Sequence, residues 1–363
     1  MLQQIYFSVC LSMLFFISLP GSAATLFQQG HNFRVGGLPE WVIAADFNTD
    51  GIMDLADSDS TSTAGTISIL LGKGNGSFQP RIVATGFELP IYTVAADVNH
   101  DGKLDLVVDD NGIDSGILVA LGNGDGTFQA PVLTALAGFA PTTSMVAGDF
   151  NNDGAIDLLF GEQILLNNGS GSFHMSASCC SVTSAVGDFN HDGKLDVVSG
   201  SQVSSKTTVY LGNGDGTVQT GVAIEGMSFP SSFALADFNG DGNLDIALAS
   251  HGDGMIHVLL GNGDGTFQSA LRYKGTLPAG PQLLLAADLN HDGKIDIVAS
   301  DSNNLVWGVA LGNGNGTFGP MQQFYTGGDS TAALLVDFNN DGFADLGALS
   351  LLTGSVAVLP NTK

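Results

Sequence analysis

Seven times the chain repeats the string Asp-x-Asn-x-Asp-Gly-x-x-Asp, and each copy gathers three carboxylates and one carboxamide within nine residues. The sets are Asp46, Asn48, Asp50 and Asp54; Asp97, Asn99, Asp101 and Asp105; Asp149, Asn151, Asp153 and Asp157; Asp188, Asn190, Asp192 and Asp196; Asp237, Asn239, Asp241 and Asp245; Asp288, Asn290, Asp292 and Asp296; and Asp337, Asn339, Asp341 and Asp345. All the donors are hard oxygens. With Gly at the sixth position to free the backbone, this is chemistry for Ca2+. Nitrogen and sulfur ligands are absent from the pattern, which argues against zinc or copper, and magnesium asks for a more rigid octahedron. Without a metal the same residues would be a set of Asx turns, but crowded carboxylates repel unless a cation joins them. An EF-hand needs a bidentate acid at position twelve, where six of the seven copies have Val108, Phe160, Ser199, Leu248, Ala299 and Ala348 and only the first has an acid, Asp57. The ninth residue is therefore the expected closing ligand, the seventh lends a backbone carbonyl, and up to seven calcium sites are expected.

Successive copies start 51, 52, 39, 49, 51 and 49 residues apart, so the unit is about fifty residues long with one shortened copy. The loops absorb 21 of the 32 Asp. The formal net charge of -26, with only 10 Lys plus Arg, excludes a phosphate-neutralising nucleic-acid binder and disfavours an anionic membrane surface. Disorder is excluded too, because 44% of the residues are hydrophobic and mean hydropathy is +0.24.

The segments flanking each loop, such as Tyr92–Ala96 and Leu106–Asp109, are short and β-branched, so each loop joins two strands. A second turn of the type Gly-Asn-Gly-Asp-Gly-Thr-Phe begins at Gly72, Gly122, Gly212, Gly261 and Gly312, with a degenerate form at Asn167–Gly171. A strand-like Thr-Phe-Gln follows it rather than a helix, which makes it a hairpin turn and not a phosphate cradle. Each unit then holds four short strands. Seven such units, all-β, predict a seven-bladed β-propeller of four-stranded antiparallel blades. Thr25–Gln28 resembles Thr127–Gln129, and the seventh unit stops where its Gly-rich turn is due. The N-terminal strand is therefore expected to complete the last blade and close the ring.

Ile5–Leu19 is apolar and uncharged and is followed by Pro-Gly-Ser-Ala-Ala, the pattern of a secretory signal peptide over residues 1–24. Residues 25–363 would then form one propeller, secreted to the periplasm or beyond and without a membrane span. Cys179 and Cys180 are adjacent, and in an oxidising compartment they form either a vicinal disulfide or two small buried side chains.

The recurring Asp-Phe-Asn-x-Asp-Gly-x-x-Asp with Gly-Asn-Gly-Asp-Gly-Thr-Phe resembles the FG-GAP/VCBS repeat of integrin α-subunit propellers and many secreted bacterial propellers. That resemblance implies a calcium-bearing propeller and spans the chain beyond residue 24. Its members include adhesion modules, fungal lectins and propellers of polysaccharide lyases.

Strand parity puts the acidic loops and Gly-rich turns on one face and the dissimilar connections on the other. Uniform loops suit a structural role, whereas differing loops can build one asymmetric site. The dissimilar face carries Trp41, Phe87, Tyr92, Phe139 and Phe229 beside Pro39, Pro90, Pro141, Pro230 and Pro278, with Asp57, Asp59, Asp110, Asp114, Asp253, Asp301 and His251. Aromatics beside acids suit sugar stacking and hydroxyl recognition, or simply fill the gaps between blades. His100, His191 and His291, fourth in their loops, read as solvated turn residues, and His251 and His257 have no evident triad partners. With no nucleophile elbow or zinc motif, the expected function is a monomeric binding or adhesion module for a glycan or extracellular protein. The alternatives are a polysaccharide lyase or hydrolase on the dissimilar face, and a scaffold bound through the metal face.

Overall fold

The computed structural model describes residues 26–361, apart from 61–64, 113–114, 135–143, 181–182, 202–204, 302, 304 and 329. The expected leader, and Phe139, Pro141 and Asp114 of the dissimilar face, lie outside the described residues.

The strands form seven four-stranded antiparallel sheets. Blade 1 consists of Pro39–Ala45, Asp54–Asp59, Gly65–Leu70 and Ile82–Phe87, in that spatial order. Blades 2 to 6 repeat this plan, beginning at the strands Pro90–Ala96, Met145–Gly148, Thr183–Gly187, Pro230–Ala236 and Leu283–Ala287. Blade 7 takes Ser330–Val336, Asp345–Ser350 and Ser355–Leu359 from the end of the chain and its outer strand, His31–Arg34, from the beginning. There His31 faces Val358 and Arg34 faces Ser355, while Phe27 bridges to Asn361. The expected closure by the N-terminal strand is thus the observed one. First strands of successive blades adjoin one another round a complete circuit, blade 7 returning to blade 1.

No blade has a core of its own. Along a strand, alternate side chains point to opposite neighbours: Leu55 packs toward blade 7 with Val356 and Val358, while Ala56 packs toward blade 2 with Leu106 and Val108. Seven apolar clusters result, one per interface between blades. One kind of aromatic pair reinforces four of them: Phe47 with Phe128, Phe78 with Phe338, Phe189 with Phe267 and Phe238 with Phe318, at centroid distances of 5.8, 5.7, 5.4 and 5.9 Å. In each pair one ring is second in an acidic loop and the other closes the next blade's Gly-rich turn, a contact contributing about 1 kcal/mol beyond area burial.

Candidate functional site: seven acidic loops and a groove between blades

The acidic loops share one backbone conformation. The fourth residue is left-handed in every copy, with φ of 57 to 59° for Thr49, His100, Asn152, His191, His291 and Asn340, and Gly240 in the remaining copy. Asn, His and Gly suit that region. The amide of the fifth residue meets two oxygens at once: Asp50 N lies 3.1 Å from Asp46 Oδ1 and 3.0 Å from Asn48 Oδ1, and the other six loops repeat this. Oxygens of the first and third residues are therefore already gathered around a common point. The fifth carboxylate accepts the seventh residue's amide, as Asp50 Oδ1 does from Ile52 at 2.9 Å.

The ninth carboxylate is fully buried in all seven loops. Asp54 Oδ2 accepts the Phe47 amide at 2.9 Å, and its Oδ1 accepts the Gly72 amide at 2.7 Å. Every copy does the same with its own second residue and its own Gly-rich turn, Asn167 and Asn361 taking the place of that Gly in blades 3 and 7. The close approach explains the glycine that opens the turn. A Cβ on Gly72, Gly122, Gly212, Gly261 or Gly312 would collide with the carbonyl of the residue preceding the ninth acid.

Burial pushes Asp54, Asp157, Asp245 and Asp345 up to about 6; the two amides oppose the shift and the first and fifth carboxylates of the loop add to it. Asp105, Asp196 and Asp296 are raised for the same reasons. Among the described residues no three acid, His or Cys side chains form a converged cluster. The fifth and ninth carboxylates are instead turned to backbone amides. Each carboxylate oxygen keeps a second lone pair, so an oxygen-seeking cation and these hydrogen bonds are compatible. The all-oxygen donor set, and the mutual repulsion felt by the buried acid, fit calcium.

The fourth residues differ from expectation. His191 Nε2 lies 3.0 Å from Asn243 Oδ1, and His291 stacks on Phe343 at 4.2 Å, so these imidazoles reach the loop of the next blade rather than only solvent. Left-handed geometry turns the side chain sideways along the ring, a direction invisible within a single copy.

On the dissimilar face Asp59, Asp110 and Asp301 prove structural. Asp59 accepts the amides of Gly37 and Leu38 at 2.7 and 2.9 Å, Asp110 those of Glu88 and Leu89 at 2.7 and 2.8 Å, and Asp301 that of Ala279 at 2.6 Å. Each stands five residues after a ninth acid and caps the connection entering its blade, where Ser250 serves for Ser228. Trp41 and Tyr92 are half-buried and meet edge to face at 5.0 Å, and Phe87 is buried, so these aromatics mainly fill interfaces. Phe229 is exposed, as are Leu38, Leu305, Tyr325 and Leu352. His257 is buried with Nε2 2.8 Å from Asp253 Oδ2. The hydroxyl of Ser250 bonds the Ser228 carbonyl and also reaches Asp253, not the imidazole, so the three do not make a nucleophile, base and orienting acid. Cys179 and Cys180 are joined as a disulfide.

A larger concavity lies elsewhere. Between the outer strands of blades 4 and 5 runs a groove of about 600 Å³, walled by Ile224 and Phe267 and carrying Gln219, Glu225, Gln268 and Arg272. A smaller groove of about 280 Å³ occupies the corresponding place between blades 1 and 2. Arg272 stands five residues past the end of its Gly-rich turn, where the other regular blades have Val83, Leu133, Ala223 and Gln323. Sequence reasoning missed this site. The one available signal was a cation in an outer strand of a cation-poor chain.

Two solved structures share the architecture. A lectin from Agrocybe aegerita, described for its recognition of non-reducing terminal N-acetylglucosamine, superposes with a TM-score of 0.59 at 22% identity, covering 78% of this chain and 79% of its own. The BP39L lectin from Burkholderia pseudomallei gives 0.65 at 14% identity, covering 90% and 96%. At such identities the likeness is one of fold. No curated protein matches the chain in sequence. The FG-GAP-like repeat profile matches residues 46–108, 111–160, 188–248, 237–299 and 288–348, more than half of the chain, and every match ends just beyond an acidic loop. The protein belongs to the FG-GAP-like repeat family.

Proposed function

We propose that this is an exported, calcium-stabilised propeller that binds carbohydrate in the groove between blades 4 and 5. The observation that carries the reading is the composition of that groove: apolar walls from Ile224 and Phe267 beside the planar hydrogen-bonding groups of Gln219, Glu225, Gln268 and Arg272. A sugar ring offers a matching pair of surfaces, an apolar C–H face and a rim of hydroxyls. The two lectins of the same fold support this assignment. Calcium, held by the first, third, fifth and ninth residues of each loop, would cross-link oxygens that otherwise repel. Extracellular modules bind it with dissociation constants of about 0.1 to 1 mM, which suits an exported protein.

The test is a glycan array probed with the wild-type protein in calcium, followed by titration of the best glycan against Arg272→Ala and Glu225→Gln. Both residues are exposed, so the fold should survive each change. Binding weakened about tenfold or more is expected, equivalent to roughly 1.4 kcal/mol. Unchanged affinity in both variants would move the site away from this groove, and the absence of any bound glycan would end the lectin reading.

A further inference from the structure

We propose that each acidic loop is the clamp on the following blade, so that cation binding is coupled across the blade interfaces in one direction round the ring. The inference rests on the calcium reading above and concerns what the metal does rather than whether it binds.

The second residue of each loop is the shared part. Its N–H is held by the ninth carboxylate of its own loop, and its C=O accepts an amide from the next blade. Gly126 donates to Phe47, Gly171 to Val98, Gly216 to Phe150, Gly265 to Phe189, Gly316 to Phe238 and Gly76 to Phe338, all at 3.0 or 3.1 Å. Blade 7 has no Gly-rich turn to offer blade 6, yet the contact persists: Asn361 Nδ2 donates to the Leu289 carbonyl at 2.7 Å. In blade 3, whose turn is degenerate, Asn167 Nδ2 adds a second donor to Val98 at 2.9 Å. What recurs at all seven interfaces is the bond to that carbonyl, and the chain uses backbone or side chain to make it.

Chemically the route is short. A cation drawing on the ninth carboxylate fixes the oxygens that hold the second residue's N–H. That residue then presents its C=O, and with it an aromatic ring in five of the seven loops, to the next blade. The metal thus stiffens an interface more than the hairpin it sits in. The sense is polar: blade 1's loop serves blade 2, and blade 1's own turn is served by blade 7.

Hydrogen exchange resolved to single amides tests this, comparing calcium with chelator in the wild type and in Asp46→Asn/Asp50→Asn, which removes two charges from the first loop and keeps its shapes. Gly126, in blade 2, should lose its calcium-dependent protection by about tenfold or more, while Gly76, in blade 1, keeps it. Equal responses at the two amides, or none at Gly126 while the wild type binds calcium, would overturn the coupling and leave the calcium reading standing. Elemental analysis finding no metal in the wild type would remove both. Asn361→Leu covers the case of a misfolded double variant: its side chain donates only to the Leu289 and Ala344 carbonyls, and its one bond to a proposed ligand, Asp345, is made by the backbone amide, which the change keeps. It should weaken one calcium site, that of blade 6, by about fivefold in a calcium titration, and an unaltered titration would count against the coupling.

Discussion

The two faces of the disc use the same residue type in opposite ways. On the loop face an Asp five residues earlier than its counterpart across the sheet is one of three carboxylates, fully buried, and raised by burial and by its own neighbours. On the dissimilar face Asp59 and Asp110 each cap two amides of an incoming connection, and the acids that neighbour Asp59, Asp57 and Glu40, follow no repeated loop pattern. Both are hydrogen-bonded by backbone, and both look alike to composition. The difference is in what surrounds them: repetition of charge on one side, a single acceptor for a single connection on the other. If the loops hold calcium as proposed, acidity marks a metal site only where charge is repeated beyond what backbone amides can neutralise.

The largest expected effect comes from stripping metal from the loop face. A ligand at a hundredfold its dissociation constant stabilises by about 2.7 kcal/mol per site, so excess chelator should lower the melting temperature by more than about 10 °C in calorimetry. A melting curve indifferent to chelator, with no metal by elemental analysis, would leave the two faces chemically equivalent. Next comes the pair Asp54→Ala and Asp59→Ala, compared by urea unfolding in one buffer. The first orphans two buried amides and should cost about 3 to 5 kcal/mol; the second frees amides nearer to solvent and should cost about 1 to 2 kcal/mol. Equal costs would erase the distinction drawn above.

Acidity itself separates the faces further. In metal-free protein the raised Asp54, Asp157, Asp245 and Asp345 ionise in the unfolded chain near 3.8 but in the folded chain only near 6. Between those values the folded state holds more protons, so stability in chelator should fall as pH rises through that window and level off above it. Calcium, which requires the ionised form, should raise the melting temperature progressively more over the same interval. A metal-free stability that rises with pH there would contradict the burial described for these acids. The smallest effect is expected at Asp57, buried with neither oxygen hydrogen-bonded and shifted well upward by burial, with Asp59 and Glu40 adding to the shift and Arg81 opposing it. Asp57→Asn should stabilise the protein by about 1 kcal/mol at pH 8, the gain shrinking as pH falls and vanishing only near the ordinary carboxylate value of 3.8, measured by the same unfolding assay.

Blade number, loop position and ring closure were legible because they are written locally and repeated: an Asp-Gly spacing seven times over, and a Thr-Leu-Phe-Gln at the start that matches what the end lacks. Whatever depends on neighbouring blades was not. Glu225 and Arg272 belong to different blades, and only the stacking of outer strands brings them into one groove. His191 and His291 were read as solvated because their partners, Asn243 and Phe343, are found in the next copy of the motif. The capping acids were within reach. Asp59, Asp110 and Asp301 recur at one offset from the ninth residue, with Ser250 and Ser350 at the same offset in two other blades, which is the signature of small acceptors serving backbone rather than ligand.

The polarity of the bonds to the second-residue carbonyls also gives the ring a relation to time. A chain emerging from a ribosome makes blade 1 first, and each later blade brings the amide that fits a carbonyl already in place on its predecessor. Assembly can therefore proceed as a series of additions to a finished surface. One amide is the exception: Gly76, made early, must wait for Phe338 of the last blade. Among these bonds to the second-residue carbonyls, the one at the seam between blades 7 and 1 joins an early donor to a late acceptor. That seam is also where the first strand joins the last, so synthesis order and mechanical closure converge on the same joint.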